Sequence, residues 1–211
     1  MMLAQPALAA LSSPVSVSLI APGGFVTGVV VSAVITDVID ATPIAELASV
    51  DPTLGLQAGD AGNLISGFWM LPGESITFVD HSILLHVAAG TQRASGDLVT
   101  GYLGSNADRA RFTFDNLAIA GQTIVGANVS AISGVISGTG GGLTAPGQVS
   151  FYLDDLKFTN PGTGTGNAFG EFRIDLLTQP VPEPASWALM LAGLAGLTHL
   201  ARRAKARVQA A

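Results

Sequence analysis

Apolar and polar positions alternate in short runs through most of this chain. Phe112 and Phe114 alternate with Arg111, Thr113 and Asp115, and Phe172, Ile174 and Leu176 alternate with Glu171, Arg173 and Asp175. A period of two places one set on the buried face of a strand and the other in water. Runs rich in β-branched and aromatic residues, bounded by Gly, Pro, Asn and Asp, lie at Val15–Ile20, Phe25–Ile35, Leu64–Trp69, Ser75–Val79, Ile83–Ala88, Ala110–Phe114, Thr123–Ile132, Val149–Thr159 and Phe169–Leu177. Each predicts a strand. One helix is expected at Ala41–Val50, with Thr42 as cap, Pro43 at its first position and Glu46 in its first turn. Thr159–Gly170 reads as a hairpin loop and Gly138–Gly142 as another. Parallel sheets need crossover helices, which the pattern lacks, so residues 15–178 predict a mainly β fold: an antiparallel β-sandwich, jelly-roll-like.

The alternation stops near the C-terminus. Ala185 to Ala201 carries no charge and is mostly Leu, Ala, Gly, Trp and Met. At helical rise the stretch is about 26 Å long, against a hydrocarbon core of about 30 Å, so its ends must help it span. Trp187 suits the headgroup level at the outer end, and Arg202, Arg203, Lys205 and Arg207 follow the inner end at once. That cluster places the basic tail, 202–211, in the cytoplasm and everything before Pro182 on the far side. The alternative, a buried amphipathic helix, needs a polar face, and Ser186, Thr198 and His199 all lie near the ends. Residues 179–184 read as a stiff linker, because Pro182 and Pro184 hold Val181 and Glu183 extended.

Val181-Pro182-Glu183-Pro184-Ala185-Ser186, then an apolar span, then a terminal Arg-rich cluster, resembles the PEP-CTERM sorting signal, a tail also known as the ice-binding protein C-terminal domain. The resemblance covers residues 181–207 and says nothing of ice. It implies export across the inner membrane of a Gram-negative-type bacterium, a transient stay there, and recognition of Val181–Pro184 by an exosortase, a multi-span membrane processing enzyme. It further implies a setting of cell envelope, exopolysaccharide and extracellular matrix. The hydrophobic tail would then act as an address rather than a lasting anchor.

Charge sharpens this division. Residues 1–180 hold five Lys and Arg against fourteen Asp and Glu, a net charge of −9, while four of the nine cations follow residue 201. An acidic domain argues against nucleic acid and anionic membrane surfaces as partners. The absence of cysteine removes disulfides, thiolate metal sites and Cys nucleophiles. At the other end, residues 1–9 lack a basic start yet contain Ala7-Leu8-Ala9, a small-x-small cleavage site. They are expected to be the remnant of a signal peptide that starts upstream and is cut after Ala9; a plain N-terminal extension is the alternative.

Candidate chemistry is sparse. Gly138–Gly142 is not followed by the Lys-Ser/Thr of a phosphate loop. His81 and His86 fall on opposite faces of a continuous strand and cannot share a metal. Ser66 and Ser137 sit outside any Gly-x-Ser-x-Gly, and Glu74 and Glu171 form a carboxylate pair only if the fold brings them together. Asp154-Asp155, at the end of an aromatic strand, resembles the closing strand of jelly-roll carbohydrate-binding modules, where a carboxylate helps to hold structural Ca²⁺. Adjacent carboxylates repel and demand a cation; the alternative is pairing of one of them with Lys157 or Arg173. Trp69, Tyr102 and Tyr152 are the aromatics suited to stacking on sugar. These observations predict an exported envelope or matrix protein without catalysis of its own. A polysaccharide-binding module, with Ca²⁺ as its one expected cofactor, and a secreted hydrolase are the alternatives.

Overall fold

The computed structural model describes residues 11, 14–59, 70–160, 168–181 and 189–195. Sixteen strands are formed among them, and the fold is mainly β with several antiparallel sheets. The first five-stranded sheet runs, in spatial order, β13 (Gly141–Ala145), β14 (Gln148–Tyr152), β10 (Arg111–Asp115), β1 (Val15–Ala21) and β4 (Ile44–Val50). The second runs β11 (Gln122–Ser133), β16 (Phe169–Pro180), β7 (Ser82–Ala88), β6 (Ser75–Val79) and β5 (Leu56–Gln57). A smaller sheet orders β12 (Val135–Ser137), β15 (Lys157–Phe158), β9 (Leu98–Val99) and β8 (Thr91–Gln92), and β2 (Phe25–Val31) pairs with β3 (Val34–Asp40) as a hairpin.

Alternation decides what these strands bury. Val15, Val17, Leu19 and Ala21 of β1 are each fully buried, and so are Phe114, Phe151, Phe172 and Ile174 of β10, β14 and β16. They belong to one continuous core with Ile76, Ile83, Leu85 and Val149. Aromatic pairs reach from one five-stranded sheet to the other: Phe151 meets Phe172 with ring centroids 4.8 Å apart, and Phe78 meets Phe114 at 6.4 Å, both edge to face. Phe151, Phe172 and Phe114, the fully buried rings among them, each contribute roughly 1.5–3 kcal/mol by leaving water.

Four local expectations are corrected. Ala41–Val50 is not a helix: Ile44–Val50 is β4, paired residue for residue with β1 from Val15↔Val50 to Ala21↔Ile44. Thr42 is not the cap: its own N–H donates to Asp40 Oδ1 at 3.0 Å, so the Asp40 side chain steers the chain out of β3 rather than starting a helix. Phe25–Ile35 is not one strand but turns back at Ser32-Ala33, with Val31 opposite Val34. Val149–Thr159 likewise breaks at Asp154-Asp155 into β14 and β15, which join different sheets. The loop read at Thr159–Gly170 is therefore no hairpin, because β15 and β16 also lie in different sheets. Leu64–Trp69 falls outside the described residues.

The chain divides into two compact units, Met1–Gln179 and Pro180–Ala211. In the second, residues 189–195 are helical, with Leu189, Met190, Leu191 and Leu194 exposed to solvent. No helix among the described residues is long and apolar enough to cross a membrane. The expected span, 185–201, continues beyond that helix on both sides, outside the described residues.

Candidate functional site

Strand register assembles one cleft of about 500 Å³ on the wet face of the first sheet. Ser18 of β1 lies opposite Thr113 of β10, and Thr113 lies opposite Ser150 of β14. These three hydroxyl residues form a row across three strands. One step along the strands, Ile20, Arg111 and Tyr152 form a parallel row by the same pairings. Asp115 and Gln148 close the other side, where the Gln148 amide donates to the Asp115 carboxylate. The row sits outside because its neighbours Phe112, Phe114, Val149 and Phe151 fill the core.

Both cations at the cleft are held by carboxylates, three of them for two guanidinium groups. Arg111 Nη1 binds Asp108 and also donates to the Arg109 carbonyl at 3.0 Å. The guanidinium holds the Asp108 carboxyl below its ordinary range. Arg109 Nη2 donates to Asp154 Oδ1 at 2.6 Å and to the Asp155 carboxylate, while its Cζ lies 4.2 Å from the Tyr152 ring centroid. The two carboxylates in turn raise the pKa of the guanidinium, Asp154 foremost. The cation demanded by Asp154-Asp155 is therefore Arg109, neither Lys157, which pairs with Asp97 at 2.9 Å, nor Arg173, which pairs with Asp175 at 2.6 Å. Gly104 lies under this clamp: a Cβ there would come within 2.7 Å of Asp154 Oδ2. A second cleft, about 570 Å³, opens on the other side of Asp154-Asp155 and is lined by Asp37, Arg93, Asp97 and Lys157. Asp37 pairs with Arg93 at 3.2 Å, so both cations of this cleft, Arg93 and Lys157, are held by carboxylates. Among the described residues, no three His, Asp or Glu side chains are grouped to hold a metal ion.

Two buried side-chain atoms in the described residues have no hydrogen-bond partner, His81 Nε2 and Thr113 Oγ1. Thr113 is 5% exposed and lies in the floor of the first cleft. Such an orphan ordinarily costs about 1–3 kcal/mol. No motif marks these residues in the sequence; the signal was the polar member of each alternating pair in β1, β10 and β14, which becomes a site only once the register is known.

Other candidates lie apart. Glu74 is buried, its carboxylate accepting the N–H groups of Leu71 and Ala88 at 2.9 and 3.0 Å, and burial raises its pKa to about 7. Glu171 is exposed on β16, accepting from Ser133 Oγ at 2.9 Å. His86 stacks on Phe169 at 4.4 Å beside Glu171, while His81 sits in the turn before β7. Ser137 is exposed on β12. Tyr102 is buried edge to face against Phe25 and offers no stacking surface. Ala7, Ala9, Ser66, Trp69, Pro182, Glu183, Pro184, Trp187, Arg202, Arg203, Lys205 and Arg207 lie outside the described residues. Val181 is exposed, directly after β16.

No curated protein and no solved structure matches the chain. Residues 180–207 match the PEP-CTERM protein-sorting motif, and with it the chain carries the mark of an exported protein processed by an exosortase.

Proposed function

We propose that this is a cell-envelope or extracellular-matrix protein with no catalytic activity of its own, whose β domain is delivered outside and freed or attached by cleavage near Pro182–Pro184. In this reading 185–201 spans the inner membrane until cleavage, with Trp187 at its outer end and Arg202, Arg203, Lys205 and Arg207 holding its inner end in the cytoplasm. The observation that carries it is the order of motif, apolar stretch and basic cluster within a matched sorting segment. The two five-stranded sheets, sharing one core through Phe151–Phe172 and Phe78–Phe114, support a sandwich for the delivered domain. Intact-mass measurement in cells with and without the exosortase tests the proposal. A mature species lacking roughly the last 25 residues, seen only when the enzyme is present, is expected. An unshortened chain in both strains defeats it.

A second reading, that the domain binds polysaccharide, is favoured by the polar cleft. Its hydroxyls, amide and half-buried Tyr152 supply mixed donors and acceptors with one aromatic ring.

A further inference from the structure

We infer that the row Ser18–Thr113–Ser150 is the floor of a binding site for an uncharged glycan, with Thr113 Oγ1 as the hydroxyl that reads the ligand. The inference rests on the polysaccharide-binding reading and adds to it a location and a chemical class.

Three observations converge on it. First, Thr113 Oγ1 is buried and without a partner among the described residues, in the floor of a cleft that is otherwise polar. A hydroxyl offers one donor and two acceptor positions, so an unpaired one is held ready for a group that brings its own donor and acceptor. Second, its cross-strand neighbours on both sides are also hydroxyl residues, and Ser150 is itself 2% exposed. A ligand lying along the row meets small, rigid, uncharged groups, which suit the closely spaced hydroxyls of a sugar ring. Third, both cations around the row are already engaged by carboxylates, so neither is free for an anion. Arg111 is bound to Asp108, Arg109 to Asp154 and Asp155, and Asp115 accepts from Gln148. An anionic chain would have to break these pairs, whereas a neutral one leaves them intact. Tyr152 and Ile20, at the border of the row, give a small apolar surface for the C–H face of a ring. The cleft volume, about 500 Å³, lies within the range of small-ligand sites.

The test uses the full chain in a zwitterionic detergent, with a neutral α-glucan (dextran), a neutral β-glucan and alginate as probes. The wild type is expected to bind a neutral glucan and to ignore alginate. Thr113→Val keeps the shape and deletes the orphan hydroxyl. It should weaken binding about tenfold or more while raising the melting temperature, because the free protein no longer holds an unsatisfied group. Thr113→Ser, which restores a hydroxyl, should bind as the wild type does. Ser150→Ala provides a second, milder loss from the same row. If the wild type binds a neutral glucan and both Thr113→Val and Ser150→Ala bind equally well, the glycan reading survives and the location is wrong. Preference for alginate overturns the chemical class. Binding to none of the three probes removes the glycan reading and this inference together.

Discussion

At the scale of single residues, Glu74 sets a pH dependence opposite to that of the surface carboxylates. Its pKa is about 7 in the folded chain, against an ordinary value of 4.5, because burial outweighs the two N–H groups that favour its charge. A raised pKa means that the folded state holds a proton the unfolded chain releases. The stability it contributes is fully present below pH 4.5 and is lost as pH rises to about 7, by roughly 3 kcal/mol in all. Asp97, Asp108 and Asp175 act in the other direction: hydrogen bonds from Lys157, from Arg111 and from Ser82 lower their pKa values, so their support fades as pH falls below the ordinary range of aspartate. Urea unfolding of the wild type should therefore show stability declining between pH 4.5 and 7, and Glu74→Gln should flatten that decline. A decline of equal slope in the variant would place its origin elsewhere.

At the scale of elements, the β2–β3 hairpin turns on two residues in the left-handed region, Ser32 at φ 51° and Ala33 at φ 64°. Two-residue hairpin turns with both central φ positive favour Asn-Gly, and neither Ser nor Ala is at ease there. Replacing Ser32-Ala33 by Asn-Gly should stabilise the chain by about 1 kcal/mol, read as a shifted denaturation midpoint at unchanged slope. The same turn explains why the sequence suggested one strand over Phe25–Ile35: nothing at 32–33 carries a turn signal. Where alternation was clean, as at Phe112-Thr113-Phe114 and Phe172 to Leu176, the strand and its buried face were both legible. The helix expected at Ala41–Val50 failed because local capping signals are weaker than seven cross-strand pairs with β1. The sorting motif was legible because its information is linear, residue after residue. The cleft was not, since Ser18, Thr113 and Ser150 come from three distant stretches and meet only through register. The Arg109 clamp on Asp154-Asp155 was missed for the same reason, its partners being 45 and 46 residues apart.

At the scale of the whole molecule, charge is divided between an acidic stretch up to residue 180 and a basic end. In the proposed topology the four terminal cations hold the chain across the membrane, because each resists transfer through hydrocarbon. Replacing Arg202, Arg203, Lys205 and Arg207 together with Gln should loosen that hold. Fractionation should then find precursor released unprocessed from the membrane or reversed in it, as measured by protease accessibility; unchanged retention would mean the apolar stretch suffices. Within the first unit the balance differs. The hairpin arm leaves Val30, Val31, Val34 and Ile39 more than half exposed, with Asp37 tied back to Arg93.

The last strand has a mechanical consequence. β16 lies inside its sheet, between β11 and β7, and runs to Pro180, where the sorting segment begins. Any tension applied through the C-terminal peptide enters the domain at the end of that strand. Its seven register pairs with β7, from Phe169↔Ala88 to Asp175↔Ser82, then share the strain as rungs of a ladder pulled lengthwise. A domain tugged by a membrane-held end, or later by a tether at the same end, is thus gripped by its middle rather than peeled from its rim.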